Sequence, residues 1–390
     1  MTDSLFVHAI EIIEAIEQAG YEAYIVGGSV RDYLLQRPID DIDIATNASI
    51  EVIQSIFPAV IPVGLEFGTV IVRYKQTSYE VTTYRNNEKE QIQNLRTDLR
   101  LRDFTMNALA MDKQFHIIDY FGGRRDIENK VIRAVSDPYA RLREDPLRVL
   151  RSLRFCSELG FTIDKKTLLA MKEVVKYIPS VAIERISHEF SRMIQGPYVQ
   201  KSMDYIDQID GLQFLPIFRQ TDLLRRQCVR IVEPFTHFSE AIAYFHYIYD
   251  KITIVQWTNA WRLSNDTKKR ALHLYELVKR YERNGIDRWL VYRLRRDDIH
   301  SFVSLVNRIF PQHEVSRDAV EKIHSNLPLQ SREDLRISGK DIIAQFPNVK
   351  RGRWINDLLT QIEYHVVMNK LKNDKKAIKE WIICHPPDKN

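Results

Sequence analysis

The sequence predicts an α+β protein, with one mixed β-sheet in the first third of the chain and helices in the remainder. Several short runs before residue 120 alternate apolar and polar residues, as half-buried strands do. After about Asp126 this alternation fades, and apolar residues recur at helical spacing between turns marked by glycine and proline. The length of 390 residues is too great for one small core and indicates two to four packed units.

The elements of the first third follow from the local pattern. Apolar residues at helical spacing near the start predict a helix that stops at Gly20, and Pro58 ends another helix. The predicted order is helix 6–16, strand 22–26, helix 30–35, strand 39–45, helix 50–57, then strands 69–74, 79–84, 108–111 and 115–119, with the last two paired.

Composition narrows the class of protein. A hydrophobic content of 44% with 28% charged residues is ordinary for a soluble globular protein, and no apolar run approaches the length of a membrane span. The first residues lack the layout of a signal peptide, and three scattered cysteines fit neither a disulfide framework nor a zinc site. We therefore expect a cytoplasmic protein.

The chain is mildly basic, with a net charge of +5 at pH 7. Basic residues cluster in several stretches, among them 141–154, 293–296, 350–353 and 370–379. Each cluster alone is compatible with a solvated helix face, whereas their repetition favours an extended track for nucleic-acid phosphates.

A glycine pair forms the first candidate site. Gly27 and Gly28 lie between a predicted strand and a predicted helix, where free backbone N–H groups and the helix dipole attract anions. Glycine allows the backbone to approach a phosphate closely, and Arg31 is placed to add a forked contact. The alternative is a tight turn without a ligand.

Two aspartates form the second candidate site. Asp41 and Asp43 are two residues apart on a predicted strand, so their carboxylates share one face, where a divalent cation relieves their repulsion. Oxygen ligands suit Mg²⁺. Two-metal phosphoryl transfer often uses a third carboxylate; Glu80, on a strand that can neighbour this pair, is our candidate, with Asp103 as its rival.

The stretch 144–155 forms the third candidate site. Pro146 fits the first turn of a helix, which predicts an N-cap at Glu144 or Asp145. The polar residues on one side of this helix repeat every three positions, and Leu147, Leu150 and Phe155 bury the other side. A carboxylate beside a guanidinium can recognise a base edge, although a row of i,i+3 salt bridges is the alternative. The repeating residues are Asp145, Arg148, Arg151 and Arg154.

Together these motifs resemble those of the class II tRNA nucleotidyltransferases, the enzymes that build the CCA end of tRNA and belong to the polymerase β superfamily. The match is dense over residues 20–195 and continues in the tail, where residues 337–342 resemble Bacillus-type members. The matching motifs are Gly27-Gly28-Ser29-Val30-Arg31-Asp32, Asp41-Ile42-Asp43, Arg102-Asp103-Phe104-Thr105-Met106-Asn107-Ala108, Glu144-Asp145-Pro146-Leu147-Arg148 with Arg151 and Arg154, and Glu184-Arg185-Ile186.

The resemblance implies roles for individual residues. Asp41 and Asp43 would be Mg²⁺ ligands, and Asp145 with Arg148 would act as a protein template for CTP or ATP. The segment from Glu184 would brace the helix that carries this template, and tRNA would lie along the basic body and tail. The residues implied in binding the incoming nucleotide or its phosphates are Gly28, Arg31, Arg102, Arg151 and Arg154.

The resemblance also implies four regions. They are a nucleotidyltransferase head at residues 1–135, a neck with the nucleotide-reading helix at 136–200, a helical body at 201–300 and a helical, tRNA-binding tail at 301–390.

One departure from the family concerns the segment 85–101. Members that add all three nucleotides usually carry a flexible loop there that is about ten residues longer, a difference of the kind that loops tolerate. That loop is associated with the change from CTP to ATP, and members that add only two cytidines have a shortened one. We therefore expect a CC-adding enzyme, with a full CCA-adding enzyme as the alternative. Leu101 also replaces an arginine usual in the family.

Two further alternatives lie outside this function. A bacterial poly(A) polymerase shares the head and neck motifs, although the resemblance of the tail argues against it. A non-catalytic RNA-binding protein on the same scaffold has no reason to retain the mutually repelling carboxylates Asp41 and Asp43.

Overall fold

The computed structural model describes residues 4–63, 68–85 and 94–386. The chain divides into two compact units, one reaching Pro234 and the other starting at Phe235. The predicted α+β class is confirmed, because the strands lie in the first unit and the second is helical. Within the described ranges, no helix has both the length and the apolarity that crossing a membrane demands.

The head alternates short helices and strands. Its helices are α1 (Ser4–Gln18), α2 (Gly28–Leu34), α3 (Ile50–Ile56), α4 (Leu95–Arg100) and α5 (Gly123–Glu128). Its strands are β1 (Ala23–Val26), β2 (Asp43–Thr46), β3 (Val60–Pro62), β4 (Thr69–Tyr74), β5 (Thr77–Thr83), β6 (Leu109–Met111), β7 (Ile117–Asp119) and β8 (Val131–Ile132).

In the described part of the chain, seven strands form one mixed sheet in the order β3-β4-β5-β2-β1-β6-β7. Strands β2 and β5 are parallel, and the other neighbours in this sheet are antiparallel. The predicted pairing of the last two strands is confirmed, with Leu109 opposite Asp119. Buried residues of β1, β2 and β6 pack with α4 and form a core on one face of the sheet.

The predicted strand 39–45 is wrong at its start, because β2 begins only at Asp43. Its antiparallel neighbour β1 pairs Val26 with Asp43 and then turns away at Gly27, so earlier residues have no ladder partner on the β1 side. Asp41 therefore lies in the segment that enters β2, and the expectation that both aspartates alternate along one strand does not hold.

Several short elements were not predicted. Strand β3 ends at Pro62 and lies at the edge of the sheet, where proline does not disrupt a ladder. Helix α4 occupies part of the segment 85–101 and is capped by the Asn94 side chain, which accepts the Thr97 N–H. The all-helical prediction for the neck is also wrong, because β8 pairs in parallel with β9 (Thr162–Ile163). Two-residue strands are too short for alternation to reveal.

The rest of the first unit is helical. Helix α7 packs against α9, and its buried face includes Val149, Leu150 and Leu153. The helices are α6 (Pro138–Glu144), α7 (Leu147–Leu159), α8 (Lys165–Val174), α9 (Ile183–Gln195), α10 (Val199–Gln208) and α11 (Asp222–Val229).

The second unit is a helical assembly with its own core, which includes Leu290, Phe302 and Ile362. Helix α18 begins with a capping box in which Ser338 and Asp341 each accept the other's backbone N–H, within the tail motif 337–342. The helices are α12 (Phe238–Ile248), α13 (Ile254–Ala260), α14 (Asn265–Asn284), α15 (Arg288–Arg293), α16 (Ile299–Ile309), α17 (Arg317–Ser325), α18 (Gly339–Gln345), α19 (Trp354–Val367) and α20 (Lys375–Cys384). The borders predicted at residues 200 and 300 stay predictions.

Candidate active site

A polar cleft of about 630 Å³ lies in the first unit, and it collects residues that are distant in sequence. The structure brings together every predicted site residue except Glu80, which is not part of its lining. The predicted residues that line the cleft are Gly28, Arg31, Asp41, Asp43, Arg102, Asp145, Arg148, Arg151 and Arg154.

The glycine turn joins β1 to α2. Gly27 has a φ of 77°, a conformation that a residue with a side chain adopts at a cost. A Cβ atom on Gly27 would lie 2.6 Å from Nη1 of Arg102 and 3.7 Å from Oδ2 of Asp43. Glycine at this position therefore lets a cation and a carboxylate both approach the backbone.

Ser29 links the two aspartates. Its hydroxyl donates to the Asp41 carbonyl at 3.2 Å and accepts the Asp43 backbone N–H at 3.3 Å. Asp41 is exposed and Asp43 is half-buried. The two carboxylates are thus held at one mouth of the cleft by backbone contacts, which leaves their side-chain oxygens for another ligand.

The electrostatic environment of Asp43 is unfavourable for its charge. Burial, followed by the nearby Glu80 carboxylate, raises the pKa of Asp43 to about 6, and Asp41 adds to this effect while Arg102 opposes it. Glu80 is the register partner of Asp43 on the neighbouring parallel strand. Oxygen donors with this mutual repulsion fit a divalent cation. In the ranges that the structure describes, no three Asp, Glu, His or Cys side chains are grouped to hold a metal.

Asp103 is occupied by other partners. Oδ1 accepts the Phe104 N–H at 2.8 Å and Nδ2 of Asn107 at 3.0 Å, and Oδ2 accepts Nε and Nη2 of Arg151 at 2.8 and 2.6 Å. Burial opposes ionisation of Asp103, but Arg151 and these hydrogen bonds outweigh it and hold the pKa well below its usual range. This carboxylate is thus a structural anchor for an arginine and a poor candidate for a metal ligand.

Arg31 is oriented by two neighbours. Its guanidinium makes a forked contact with Asp32 at 3.0 and 2.6 Å, and Nη1 donates to Oδ1 of Asn107 at 2.7 Å. Arg102 is oriented by the buried Asp98, whose Oδ2 accepts both Nε and Nη2 at 3.2 Å. The partners Asn107 and Asp98 therefore direct two arginines toward the glycine turn.

Asp145, the carboxylate predicted to recognise the base, lies between α6 and α7. Pro146 is the N-cap of α7, so the predicted cap at Glu144 or Asp145 is displaced by one or two residues, although Oδ1 of Asp145 still accepts the Leu147 N–H at 3.2 Å. Oδ2 accepts Nη2 of Arg185 at 2.7 Å. Asp145 is thus braced by α9 from the segment starting at Glu184, rather than by an i,i+3 bridge along its own helix.

Arg148 is held by carbonyls and a carboxylate. Its Nη1 donates to the Arg141 carbonyl at 2.6 Å and to Oε2 of Glu144 at 3.1 Å, and its Nη2 donates to the Leu101 carbonyl at 3.2 Å. The contact between Arg148 and residue 101 uses the backbone carbonyl of Leu101. It therefore does not depend on whether that residue is leucine or the arginine usual in the family.

Arg151 and Arg154 belong to a buried ion network. Glu189 of α9, only 4% exposed, accepts from Arg151 at 3.4 Å and from Arg154 at 2.5 Å. Arg154 also pairs with Glu158 at 2.7 Å. The charge of Asp103 raises the pKa of Arg151 despite burial.

Phe155 lies among these arginines. The guanidinium carbons of Arg154, Arg31 and Arg151 are 3.9, 5.1 and 5.5 Å from its ring centroid. The ring lines the cleft, although the sequence predicts it on the face opposite the arginines. An aromatic ring attracts cations through its face, which explains the different placement.

Sequence reasoning missed the partners that orient the site. Ser29 and Asn107 lie inside the quoted motifs but carried no role, and Asp98 and Glu189 gave no signal, because a carboxylate on a helix is ordinary. Glu80, the candidate for a third metal carboxylate, lies beside Asp43 in the sheet but outside the cleft lining.

This fold and cleft define a nucleotidyltransferase. A family model described as Poly A polymerase head domain matches residues 23–133, and one described as probable RNA and SrmB-binding site of polymerase A matches residues 160–220. A third, described as tRNA nucleotidyltransferase domain 2, putative, matches residues 234–382.

Relatives along the whole chain make the class more specific. The CCA-adding enzyme of Oceanobacillus iheyensis is 41% identical over 402 residues, covering 100% of both chains, and that of Staphylococcus saprophyticus is 36% identical, covering 98% of this chain and 99% of the relative. The crystal structure of the Bacillus stearothermophilus CCA-adding enzyme in complex with CTP matches with a TM-score of 0.86 at 30% identity, covering 98% of each chain. The chain belongs to the CCA-adding enzyme family and is a tRNA nucleotidyltransferase.

Proposed function

We propose that this enzyme adds cytidines from CTP to the 3′ end of tRNA and stops after the second one. The observation that carries this proposal is the combination of a cleft that gathers nine of the predicted site residues with a short segment between Arg85 and Leu101. Residues 86–93 of this segment lie outside the described residues. The cleft gathers the residues proposed for CTP addition. The length of the segment bears on whether ATP is used for a final adenosine.

In the proposed reaction, the tRNA 3′-hydroxyl attacks the α-phosphate of CTP and releases pyrophosphate. Asp41 and Asp43 would hold Mg²⁺, which when bound activates the hydroxyl and stabilises the developing charge. The glycine turn with Arg31 and Arg102 would bind the triphosphate, because backbone N–H groups and guanidiniums are donors that phosphate oxygens accept.

Base choice would depend on Asp145 and Arg148. A carboxylate accepts from the exocyclic amino group of cytosine, and a guanidinium donates to its ring nitrogen and carbonyl oxygen. In this structure Arg185 and Glu144 hold these two side chains in place. Arg151 and Arg154 are largely neutralised by Asp103 and Glu189, so their proposed role is to shape the pocket and to contact the nucleotide at its edge.

A full CCA-adding enzyme is the second candidate. It is favoured by the names of the relatives, which include CCA-adding enzymes that span essentially the whole chain. In that case ATP would follow CTP in the same cleft, and the reading pair would have to accept adenine after the second cytidine.

The two candidates are distinguished by sequencing the products from a tRNA that lacks its CCA end, supplied with CTP and ATP together. We expect ends that finish in CC, even with a long incubation. Ends that finish in CCA contradict the CC-only proposal and leave the tRNA nucleotidyltransferase assignment intact. A tRNA that already ends in CC, supplied with ATP alone, provides the matched control.

The role of Asp145 has its own test. The change Asp145→Ala should reduce the preference for CTP over UTP, because the acceptor for the cytosine amino group is removed, while the KM for tRNA changes little. Unchanged discrimination in competition assays with CTP and UTP would contradict the proposed reading role.

A further inference from the structure

Eight arginines line the cleft in the described ranges, and two of them, Arg85 and Arg192, have no role so far. Seven have a carboxylate oxygen within 3.2 Å: Arg31 at 2.6, Arg102 at 3.2, Arg148 at 3.1, Arg151 at 2.6, Arg154 at 2.5, Arg185 at 2.7 and Arg192 at 2.8 Å. For Arg85 the corresponding distance, from Nε to Oδ1 of Asp98, is 4.0 Å. Its guanidinium is therefore the least compensated of the set.

Asp98 is already used by other donors. Its Oδ1 accepts the backbone N–H of Arg85 at 3.0 Å, and its Oδ2 accepts both Nε and Nη2 of Arg102 at 3.2 Å. The carboxyl group is 1% exposed, so water adds little. Asp98 thus fixes the backbone of Arg85 and the side chain of Arg102, and among the described residues it leaves the Arg85 guanidinium with donors to spare.

Charges of both signs lie near this guanidinium. Burial and the neighbouring Arg102 lower the pKa of Arg85, with a further contribution from Arg148, while Asp98 and Asp103 partly offset them. Nearly half of the side chain, 46%, is exposed to the cleft and its opening. Such a position favours an anionic ligand, which would neutralise several guanidiniums at once.

Arg85 lies near Arg102, another predicted ligand of the phosphates. Arg85 and Arg102 flank the same carboxylate, and Arg102 reaches the glycine turn, where its Nη1 lies 2.6 Å from the position of a Cβ on Gly27. A polyphosphate that binds at the glycine turn and Arg102 therefore lies near Arg85, across Asp98.

We propose that Arg85 binds the triphosphate of the incoming nucleotide, as a partner of Arg102 across Asp98. This inference rests on the proposed function, because it assumes that a nucleoside triphosphate occupies the cleft. A phosphodiester of the tRNA 3′ end offers the same chemistry, and the experiment separates these two sources.

The experiment compares Arg85→Gln, Arg85→Lys and Arg73→Gln with the wild type. Arg73 is an exposed arginine of strand β4 outside the cleft, so it controls for the loss of one charge. Initial rates of CTP addition to tRNA give separate KM values for CTP and tRNA, and inhibition by inorganic tripolyphosphate measures polyphosphate binding without a base.

For Arg85→Gln we expect the KM for CTP and the inhibition constant of tripolyphosphate each to rise by about tenfold or more, as for the loss of a charge-assisted hydrogen bond. The KM for tRNA should remain within about twofold, since the cation–phosphate contact is made with the nucleotide. Arg85→Lys should recover part of the affinity, and Arg73→Gln should behave as the wild type.

A rise in the KM for tRNA with unchanged tripolyphosphate inhibition would overturn the assignment and place Arg85 on the primer. Unchanged values for both substrates would overturn it as well. If the wild type fails to extend tRNA, the proposed function fails, whereas direct binding of tripolyphosphate, measured by calorimetry on the wild type and the variants, still tests Arg85. Equal melting temperatures of the variants confirm that folding is not the cause, and Arg85→Lys preserves the charge if Arg85→Gln is unstable.

Discussion

The two walls of the cleft balance charge in different ways. On the head side, Asp43 lies near Glu80 and Asp41, and this environment raises its pKa to about 6. On the neck side, each arginine of α7 that lines the cleft is paired with a carboxylate. We call the first the carboxylate pair (Asp41 and Asp43) and the second the arginine wall (Arg148, Arg151 and Arg154).

This difference indicates two kinds of task. A site with excess charge is complete only when a counter-ion binds, and its instability in the free protein becomes affinity for that ion. A wall whose charges are neutralised internally gains little from a free counter-ion, and its value lies in holding donors and acceptors at fixed positions. The carboxylate pair is thus suited to binding a cation and the arginine wall to recognising a shape.

The largest expected effect is the loss of the cation site. Asp43→Asn should reduce nucleotide addition by more than about 100-fold, because the reacting groups lose their positioning and charge stabilisation. The affinity for tRNA, measured by filter binding, should stay near that of the wild type. Glu51→Gln, with the same change of charge on exposed helix α3, should remain active. Retained turnover in Asp43→Asn would contradict the role of the carboxylate pair.

The second prediction breaks the arginine wall. Glu189→Gln removes the carboxylate shared by the buried Arg154 and the half-buried Arg151, which keep Glu158 and Asp103 as partners, so the free energy of unfolding should fall by about 1–3 kcal/mol. Urea unfolding followed by circular dichroism measures this change. Glu158→Gln is the matched control, because Glu158 is 18% exposed and its loss should cost less. Equal losses in the two variants would show that the wall does not depend on Glu189.

Much of the fold could be predicted from the sequence. The bounds of some strands could not, because they depend on pairing with other strands. Strand 69–74 appears with its predicted bounds, because alternation over six residues is a strong local signal. The start of β2 could not be predicted from residues 39–42 alone, since it coincides with the end of the pairing to β1. The two-residue strands β8 and β9 are likewise defined by their partners.

The candidate site shows the same division. Residue types and spacing indicated the side chains that line the cleft, since each motif suits its own chemistry. The ionic partners of those side chains could not be predicted, because Asp98 and Glu189 become informative only when the fold brings them to Arg102 and Arg154. Glu80 illustrates the converse, since its strand was correctly placed beside Asp43 while its side chain is absent from the lining among the described residues.

The third prediction concerns the glycine turn between β1 and α2. Gly27→Ala should cost about 1–2 kcal/mol for its positive φ, and it should raise the KM for CTP because the new Cβ displaces Arg102. Gly20→Ala is a close control, since Gly20 has a φ of +89° and nothing within 4 Å of a Cβ. Thermal melting should show similar losses for both, and kinetics should show a defect only for Gly27→Ala. Equal KM values would contradict the close approach of Arg102.

The smallest expected effect concerns Glu80. Glu80→Gln removes a charge that disfavours ionised Asp43, and the activity should fall by no more than about tenfold if Glu80 only neighbours the metal site. Initial rates over a series of Mg²⁺ concentrations measure this effect. A loss as large as that of Asp43→Asn would establish Glu80 as the third metal carboxylate.

The contrast between the walls is tested most directly by unfolding free energies measured against pH, from pH 4 to 8, in the absence of divalent cations. Asp43 has a higher pKa in the folded protein than its ordinary value of 3.8, so its contribution to stability is present at low pH and is lost as the pH rises through about 6. The stability of Asp43→Asn relative to the wild type should therefore increase between pH 4 and 6 and level off above, and Mg²⁺ should reduce that advantage by stabilising the wild type. A difference that does not vary with pH, or equal stabilisation of both proteins by Mg²⁺, would contradict the account of the carboxylate pair.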